Sequence, residues 1–313
     1  MSAPATEETS LMRVFVTGAT GFIGSAVVQE LLAAGHQVVG LARSKDKAAA
    51  LAASGADVMH GSVNDPDVLR RGVAGAEGVI HLAFNHDFSR FAANCEDDRR
   101  VVEILGSALL GTDRPLIVTS GTAIANSASG QLALEDNAAA SSKGHPRAAS
   151  EEAALSAAQR RANVSIVRLP QVHNIFRAGL ITYAIAVARE KKVSAYLGDG
   201  HNRWPAAHLL DVARLYRLAL EKAERGARYH AVAEEGVPLR DIAEVIGRRL
   251  KVPAKSIAPQ EAAAHFGWLG TFASLDMPAS SAQTRKTLGW QPAERGLIED
   301  LEQWRDEATP SAL

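Results

Sequence analysis

Apolar residues in this chain gather into short, nearly continuous runs that alternate with stretches of helical periodicity. Val14-Phe15-Val16-Thr17 is the first run. The stretch behind it places Val27, Val28, Leu31 and Leu32 on one helical face until Gly35 stops it. Further strand-like runs fall at 38–42, 57–60, 78–83, 115–119 and 164–169. Between them lie an Ala-rich helix reaching Ser54, a helix opened by Pro66, and a long helix over about 89–110. A further helix restarts at Pro146 and carries Glu151 and Glu152 in its early turns, where the helix dipole favours acids. Residues 121–146 lose periodicity. Repeated βα units with apolar strands predict an α/β fold, a Rossmann-type doubly wound parallel sheet that binds ligands at the carboxyl ends of its strands.

Past Pro170 the alternation breaks. Helices are expected over about 175–190, 211–223 and 239–250, with a turn at Gly198-Asp199-Gly200 and a strand at 229–232. The organisation expected is a tail over 1–11, small, polar and disordered, then a nucleotide-binding domain over 12–170. A smaller substrate lobe takes 171–204 and 233–313, and 205–232 returns to the main sheet.

Composition narrows the class. The chain has 313 residues, a net charge of −1 and a single cysteine, Cys95. Balanced charge gives no electrostatic case for nucleic acid or an acidic membrane. One cysteine forms no internal disulfide, and no run approaches the roughly 18 apolar residues that span a bilayer. A cytoplasmic location is expected. The histidines show neither His-Glu-x-x-His nor clustered spacing, so no metal is expected.

The chemistry starts at Thr17-Gly18-Ala19-Thr20-Gly21-Phe22-Ile23-Gly24. Gly18 permits a tight turn, Gly21 lets the backbone approach a pyrophosphate, and Gly24 lets the helix pack closely on its strand. The helix N-terminus then offers free N–H groups to phosphates. Cofactor choice is read at the end of the second strand. There Arg43 stands 19 residues past Gly24, beside Ser44, Lys45 and Lys47. A guanidinium suits a 2′-phosphate, so NADP(H) is expected over NAD.

Several stretches, in order, resemble the extended short-chain dehydrogenase/reductase superfamily, the class of the sugar-nucleotide epimerases and dehydratases. The glycine segment looks like its TGxxGxxG turn and Val79-Ile80-His81-Leu82-Ala83 like its fourth-strand motif. Val118-Thr119-Ser120-Gly121 stands where its active-site Ser/Thr strand ends. Arg168-Leu169-Pro170, His208-Leu209-Leu210-Asp211-Val212-Ala213 and Leu288-Gly289-Trp290-Gln291-Pro292 match later motifs. The resemblance implies that Ser62 and Val63 lie near the adenine. It places Leu82, Ala83, Phe84, Thr119 and Pro170 along the path to the nicotinamide, and it makes the long helices 89–110 and 147–161 a homodimer interface.

One departure from that pattern matters. The superfamily's Tyr-x-x-x-Lys is missing, because the four tyrosines are Tyr183, Tyr196, Tyr216 and Tyr229. The pattern resembles the atypical subgroups, which keep the glycine motif and alter the active site. Ser120 is the candidate for polarising a substrate oxygen, against a role in ending its strand. His145, His173 and Tyr183 compete as proton donor, against helix-start, site-wall and packing roles respectively. Lys143 or Arg147 would replace the ribose-binding cation. His86 and Arg90 would read a substrate anion, against a helix start capped by Asp87, and Trp204 would wall the substrate. The function expected is NADP(H)-dependent hydride transfer to a small carbonyl, imine or enone. A cofactor sensor without turnover and an epimerase or dehydratase are the alternatives.

Overall fold

The computed structural model describes residues 11–125 and 130–306. The expected tail, residues 1–11, lies outside these except for Leu11. Seven parallel strands form the main sheet: β1 (Arg13–Thr17), β2 (Gln37–Ala42), β3 (Asp57–His60), β4 (Gly78–His81), β5 (Pro115–Gly121), β6 (Asn163–Leu169) and, later in the chain, Arg228–His230. The last of these becomes β10 once three short strands of the lobe are counted: β7 (Gln171–His173), β8 (Ser194–Leu197) and β9 (Arg203–His208). The order across the sheet is β10-β6-β5-β4-β1-β2-β3. It reverses between β1 and β4, which opens a crevice at their carboxyl ends.

Strand alternation explains the three layers. Val14 and Val16 face one side of the sheet and Phe15 the other. The first side is covered by α1 (Phe22–Ala33) and α2 (Lys45–Ala53). The second is covered by α3 (Pro66–Ala74), α4 (Phe91–Ala108) and α5 (Ala149–Gln159). Both faces are buried, which is why these strands read as unbroken apolar runs.

The lobe begins at β7 and continues through α6 (Ile181–Lys191), β8 and β9. The chain then returns to the main body with α7 (Leu209–Lys222), which packs beside α1, and with β10, parallel to β6 at the sheet's outer edge. It leaves again through β11 (Glu234–Pro238), α8 (Leu239–Leu250) and β12 (Ala254–Ile257). β9 pairs with β7 and β11, and β12 pairs with β8. Residues 205–208 therefore lie in a small sheet of the lobe and not in the main one. The five strand segments of 171–173, 194–197, 203–208, 234–238 and 254–257 escape the sequence pattern. They are short and mix polar with apolar residues, so no period of two stands out. The helix expected over 175–190 starts at Ile181, because 171–180 is spent on β7 and a turn. Among the described residues no helix is long and apolar enough to cross a membrane.

Candidate functional site

At the crevice the glycine turn leaves no room for side chains. Gly18 has φ +68°, and a Cβ there would stand 2.6 Å from the backbone nitrogen of Ala83. A Cβ on Gly24 would stand 2.0 Å from the carbonyl oxygen of Gly18. The Gly21 N–H donates to that carbonyl at 2.9 Å and closes the turn. α1 then opens on Gly21 with no side-chain cap and no acid in its first turn. Its leading N–H groups are left for an anion. Thr20, Phe22 and Ile23 are half-buried beside them and Gly21 is exposed.

The other expected cofactor positions ring this turn. Arg43 and Ser44 are exposed past the end of β2, and the Ser44 hydroxyl accepts the Lys47 N–H to cap α2. Ser62 and Val63 are half-buried after β3. Leu82, Ala83 and Phe84 follow β4, which ends at His81, two residues short of the expected run. Pro170 is half-buried behind β6. Thr119 is engaged: its hydroxyl donates to the His81 carbonyl and pairs with the Tyr216 hydroxyl, both at 2.7 Å.

Two polar networks occupy the region where the superfamily keeps Tyr-x-x-x-Lys. The first runs across β1, β4, α4 and the start of α5. The Thr17 hydroxyl pairs with His81 Nδ1 at 2.6 Å, and His81 Nε2 with Asp98 at 2.9 Å. Asp98 also accepts from Arg147 at 3.0 Å and from Ser150, while Arg147 donates to the Thr119 carbonyl at 2.8 Å. The Arg147 guanidinium lies over the Phe84 ring at 4.5 Å. Burial works to raise the Asp98 carboxyl, but Arg147 and then His81 outweigh it and hold the group below the ordinary carboxylate value.

The second network is buried between β5, β6, α5 and β10. Ser120 donates to Glu151 at 3.1 Å, and Glu151 pairs with Arg168; all three are buried. Arg168 also donates to the carbonyls of Glu135 and Asn137 and meets His230 at 3.3 Å. Burial, then the Arg168 charge, pushes the His230 imidazole down to about 4. The stretch from Arg147 to Glu151 contains neither a tyrosine nor a lysine and gives these networks a cation and a carboxylate. A guanidinium carries only donors and a permanent charge, so Arg147 cannot shuttle a proton.

The structure redistributes the catalytic candidates. Ser120 is buried, and its hydroxyl is engaged with Glu151 in the Glu151–Arg168 cluster. His173 is fully buried, and its Nδ1 binds Asp300 at 2.8 Å, tying β7 to the C-terminal part of the lobe. It is neither a crevice wall nor placed for chemistry. His145 is half-buried, with Nδ1 lacking a hydrogen-bond partner among the described residues; burial, and more weakly the Arg147 charge, lowers its imidazole. Lys143 is exposed in the preceding loop. Trp204 is buried in the lobe core, so it does not wall a substrate. Asn202 and Arg203 are spent on lobe contacts, Asn202 with the carbonyls of Ala273 and Leu275 and Arg203 with Asp276.

Tyr183 alone of the proton-donor candidates stands where the two lobes meet. Its ring contacts Phe88 at 5.7 Å and Trp268 at 5.0 Å. Burial raises its phenol, and Arg177 opposes that shift. The other tyrosines are placed differently. Tyr216 is buried against Thr119, the Tyr229 hydroxyl is buried, and Tyr196 lies on β8 with its ring near Arg240. His86 is exposed, and its ring stands edge-on to Phe84 and Phe88. Arg90 is exposed, and Asp87 accepts the Ser89 N–H at 3.0 Å.

Asp98 and the Glu151–Arg168 pair were missed by sequence reasoning, yet both left a trace. Asn94, Cys95, Asp98, Val101, Val102 and Leu105 share the buried stripe of α4, so a carboxylate lies among apolar positions. Arg168 interrupts an apolar strand and demands a buried counter-charge.

A seven-stranded parallel sheet with a bare glycine turn at its switch point, carrying a second lobe, defines a Rossmann-type α/β protein. The chain belongs to the NAD dependent epimerase/dehydratase family, whose model matches residues 14–233, within the extended short-chain dehydrogenase/reductase class. An uncharacterized protein of Schizosaccharomyces pombe is 48% identical over 291 residues, covering 93% of this chain and 98% of that one. The sterol-4-alpha-carboxylate 3-dehydrogenase of Dictyostelium discoideum is 25% identical over 244 residues, covering 74% of each. In fold the chain is similar to a dTDP-glucose 4,6-dehydratase double mutant of Streptomyces venezuelae solved with NAD. The TM-score is 0.75 at 19% identity, covering 93% of this chain and 95% of that one.

Proposed function

We propose that this protein is an NADP(H)-dependent oxidoreductase that reduces a small carbonyl, imine or enone. The observation that carries the reading is the glycine turn, where Gly18 and Gly24 have no space for a Cβ and α1 opens uncapped. Such a turn fits a pyrophosphate. Arg43 would hold a 2′-phosphate, with Ser44 beside it, and Leu82 to Phe84 would line the nicotinamide ribose. A bound nicotinamide supplies or accepts the hydride at the reacting carbon. The chain supplies the proton. The Tyr183 phenol is protonated at neutral pH and raised further by burial; it would give its proton to the oxygen of a carbonyl or the nitrogen of an imine, and solvent would reprotonate it. For a carbonyl substrate the products are an alcohol and oxidised cofactor. A cytoplasmic homodimer is part of the same proposal, with light scattering and cell fractionation as its checks.

The test is a fluorescence titration with NADPH and NADH, followed by turnover against aldehydes, ketones, imines and enones. Preferred NADPH binding with turnover lost in Tyr183→Phe supports the reading. Equal binding of both nucleotides removes the role given to Arg43, and full activity of Tyr183→Phe removes the proton donor. The lock of Arg147 onto Asp98 favours a second reading, a sensor that binds NADP(H) without turnover. Tight NADPH binding with no substrate reduced across all four classes would select it.

A further inference from the structure

The chain is poor in aromatic residues, yet six of its phenylalanine, tyrosine and tryptophan side chains meet at one place. Phe84, Phe88 and Phe91 follow β4 in the main domain. Tyr183 comes from α6, and Trp268 and Phe272 come from short helical turns behind β12. Phe88 and Trp268 face each other from the two lobes, ring centroids 4.1 Å apart and planes 11° from parallel. Tyr183 stands edge-on to both, at 87° and 78°. Trp268 is 41% exposed, so part of this aromatic cluster is left in water where the two lobes meet.

The place of this pair matters more than its composition. Ala83 abuts the glycine turn, Phe84 follows it and contacts Phe91 at 6.3 Å, and Phe91 contacts Phe88 at 5.8 Å. A chain of ring contacts therefore links Phe84, which follows the residue beside the glycine turn, to Tyr183. A near-parallel pair exchanges one ring-to-ring contact for two when a third flat ring enters, which is a net gain. A saturated, puckered molecule of the same polarity makes no such exchange.

We propose that Phe88 and Trp268 form an aromatic clasp that opens to hold a planar, conjugated carbonyl substrate between their faces, with Tyr183 at its edge. This rests on the oxidoreductase reading and adds the substrate class to it. The probes, close in size, are two 1,2-diketones, planar acenaphthenequinone and saturated bornane-2,3-dione, whose bridged ring cannot enolise. Each is titrated calorimetrically into the full-length protein, with and without NADP+ so that no turnover intervenes.

The quinone is expected to bind at least about tenfold tighter. Phe88→Leu and Trp268→Leu should each weaken the quinone by roughly three- to tenfold, the measure of one lost aromatic pair. Both variants should leave the dione and NADPH unchanged, and Trp268→Phe should restore the preference. Equal binding of the two probes overturns the clasp. So does a parallel loss of both probes and of thermal stability in the variants, which would make the pair plain packing between lobes. If NADPH fails to bind the parent protein, the oxidoreductase reading falls. The probe comparison without nucleotide still judges the clasp separately.

Discussion

The two sides of the crevice are built on opposite principles. At the β1–α1 turn the chain removes side chains and leaves bare backbone N–H groups without partners of their own. At β5 and α5 it does the reverse. Arg147 is matched to Asp98, Arg168 to Glu151, and the Ser120 and Thr119 hydroxyls to neighbours. A site that must receive charge stays unsatisfied until its ligand arrives, whereas a site that only holds elements together satisfies itself. This chain leaves the glycine turn bare and satisfies the polar groups of β5 and α5 from within.

The largest effect expected is at the bare turn. Gly24→Val drives a side chain into the Gly18 carbonyl, and nucleotide affinity should fall by more than about 100-fold, from the loss of two or more charge-assisted contacts. Retained NADPH binding in that variant would mean that the turn does not cradle a phosphate.

Next comes the self-satisfied side. Arg147→Met leaves Asp98 buried without its cation and should lower stability by about 3–5 kcal/mol near neutral pH. The depressed Asp98 carboxyl contributes stability that is present above its unfolded value and lost as pH falls through the folded one. The gap between parent and variant should therefore narrow in acid. Urea unfolding at several pH values checks this, and a pH-independent gap would dissolve the claim of a matched pair.

His230 sharpens the same side. Its imidazole is held at about 4, below the ordinary 6.5, so the unfolded chain takes up the proton first. Stability should fall by about 3 kcal/mol as pH drops from 6.5 to 4, and His230→Gln should flatten that slope. An unchanged slope would place the titration elsewhere.

Two smaller effects set the sides directly against each other. Arg43→Asp should cost NADPH roughly 10- to 100-fold in affinity, the worth of a charge-assisted contact, with NADH little affected. Ser120→Ala should cost about 1 kcal/mol of stability and change turnover less than about threefold, because its hydroxyl serves Glu151. A 100-fold loss of turnover, the scale of a removed oxyanion donor, would place Ser120 at the reacting oxygen and break the contrast.

Much of the fold was legible in the sequence because its signals are local. The helix predicted over 239–250 is α8, and strands β1, β3 and β6 fall within a residue of their apolar runs. The lobe was less legible, since its strands are only three to six residues long and take their register from partners far along the chain. The candidate site divides in the same way. The glycine turn was readable residue by residue. The partners of Ser120, Arg147, His173 and Tyr183 were not.

The sequence by itself determined the strand–turn–helix unit at Val14 to Leu32. The absence of Cβ atoms at Gly18, Gly21 and Gly24 and the helical face behind them are properties of adjacent residues. Only the tertiary structure decided which polar groups are free to do chemistry. Ser120 meets a carboxylate 31 positions away, Arg147 one 49 away, and His173 one 127 away. Pairing of charges and stacking of rings depend on distance in space. That distance is set when the sheet closes its order and the lobe docks on it, which no local pattern records.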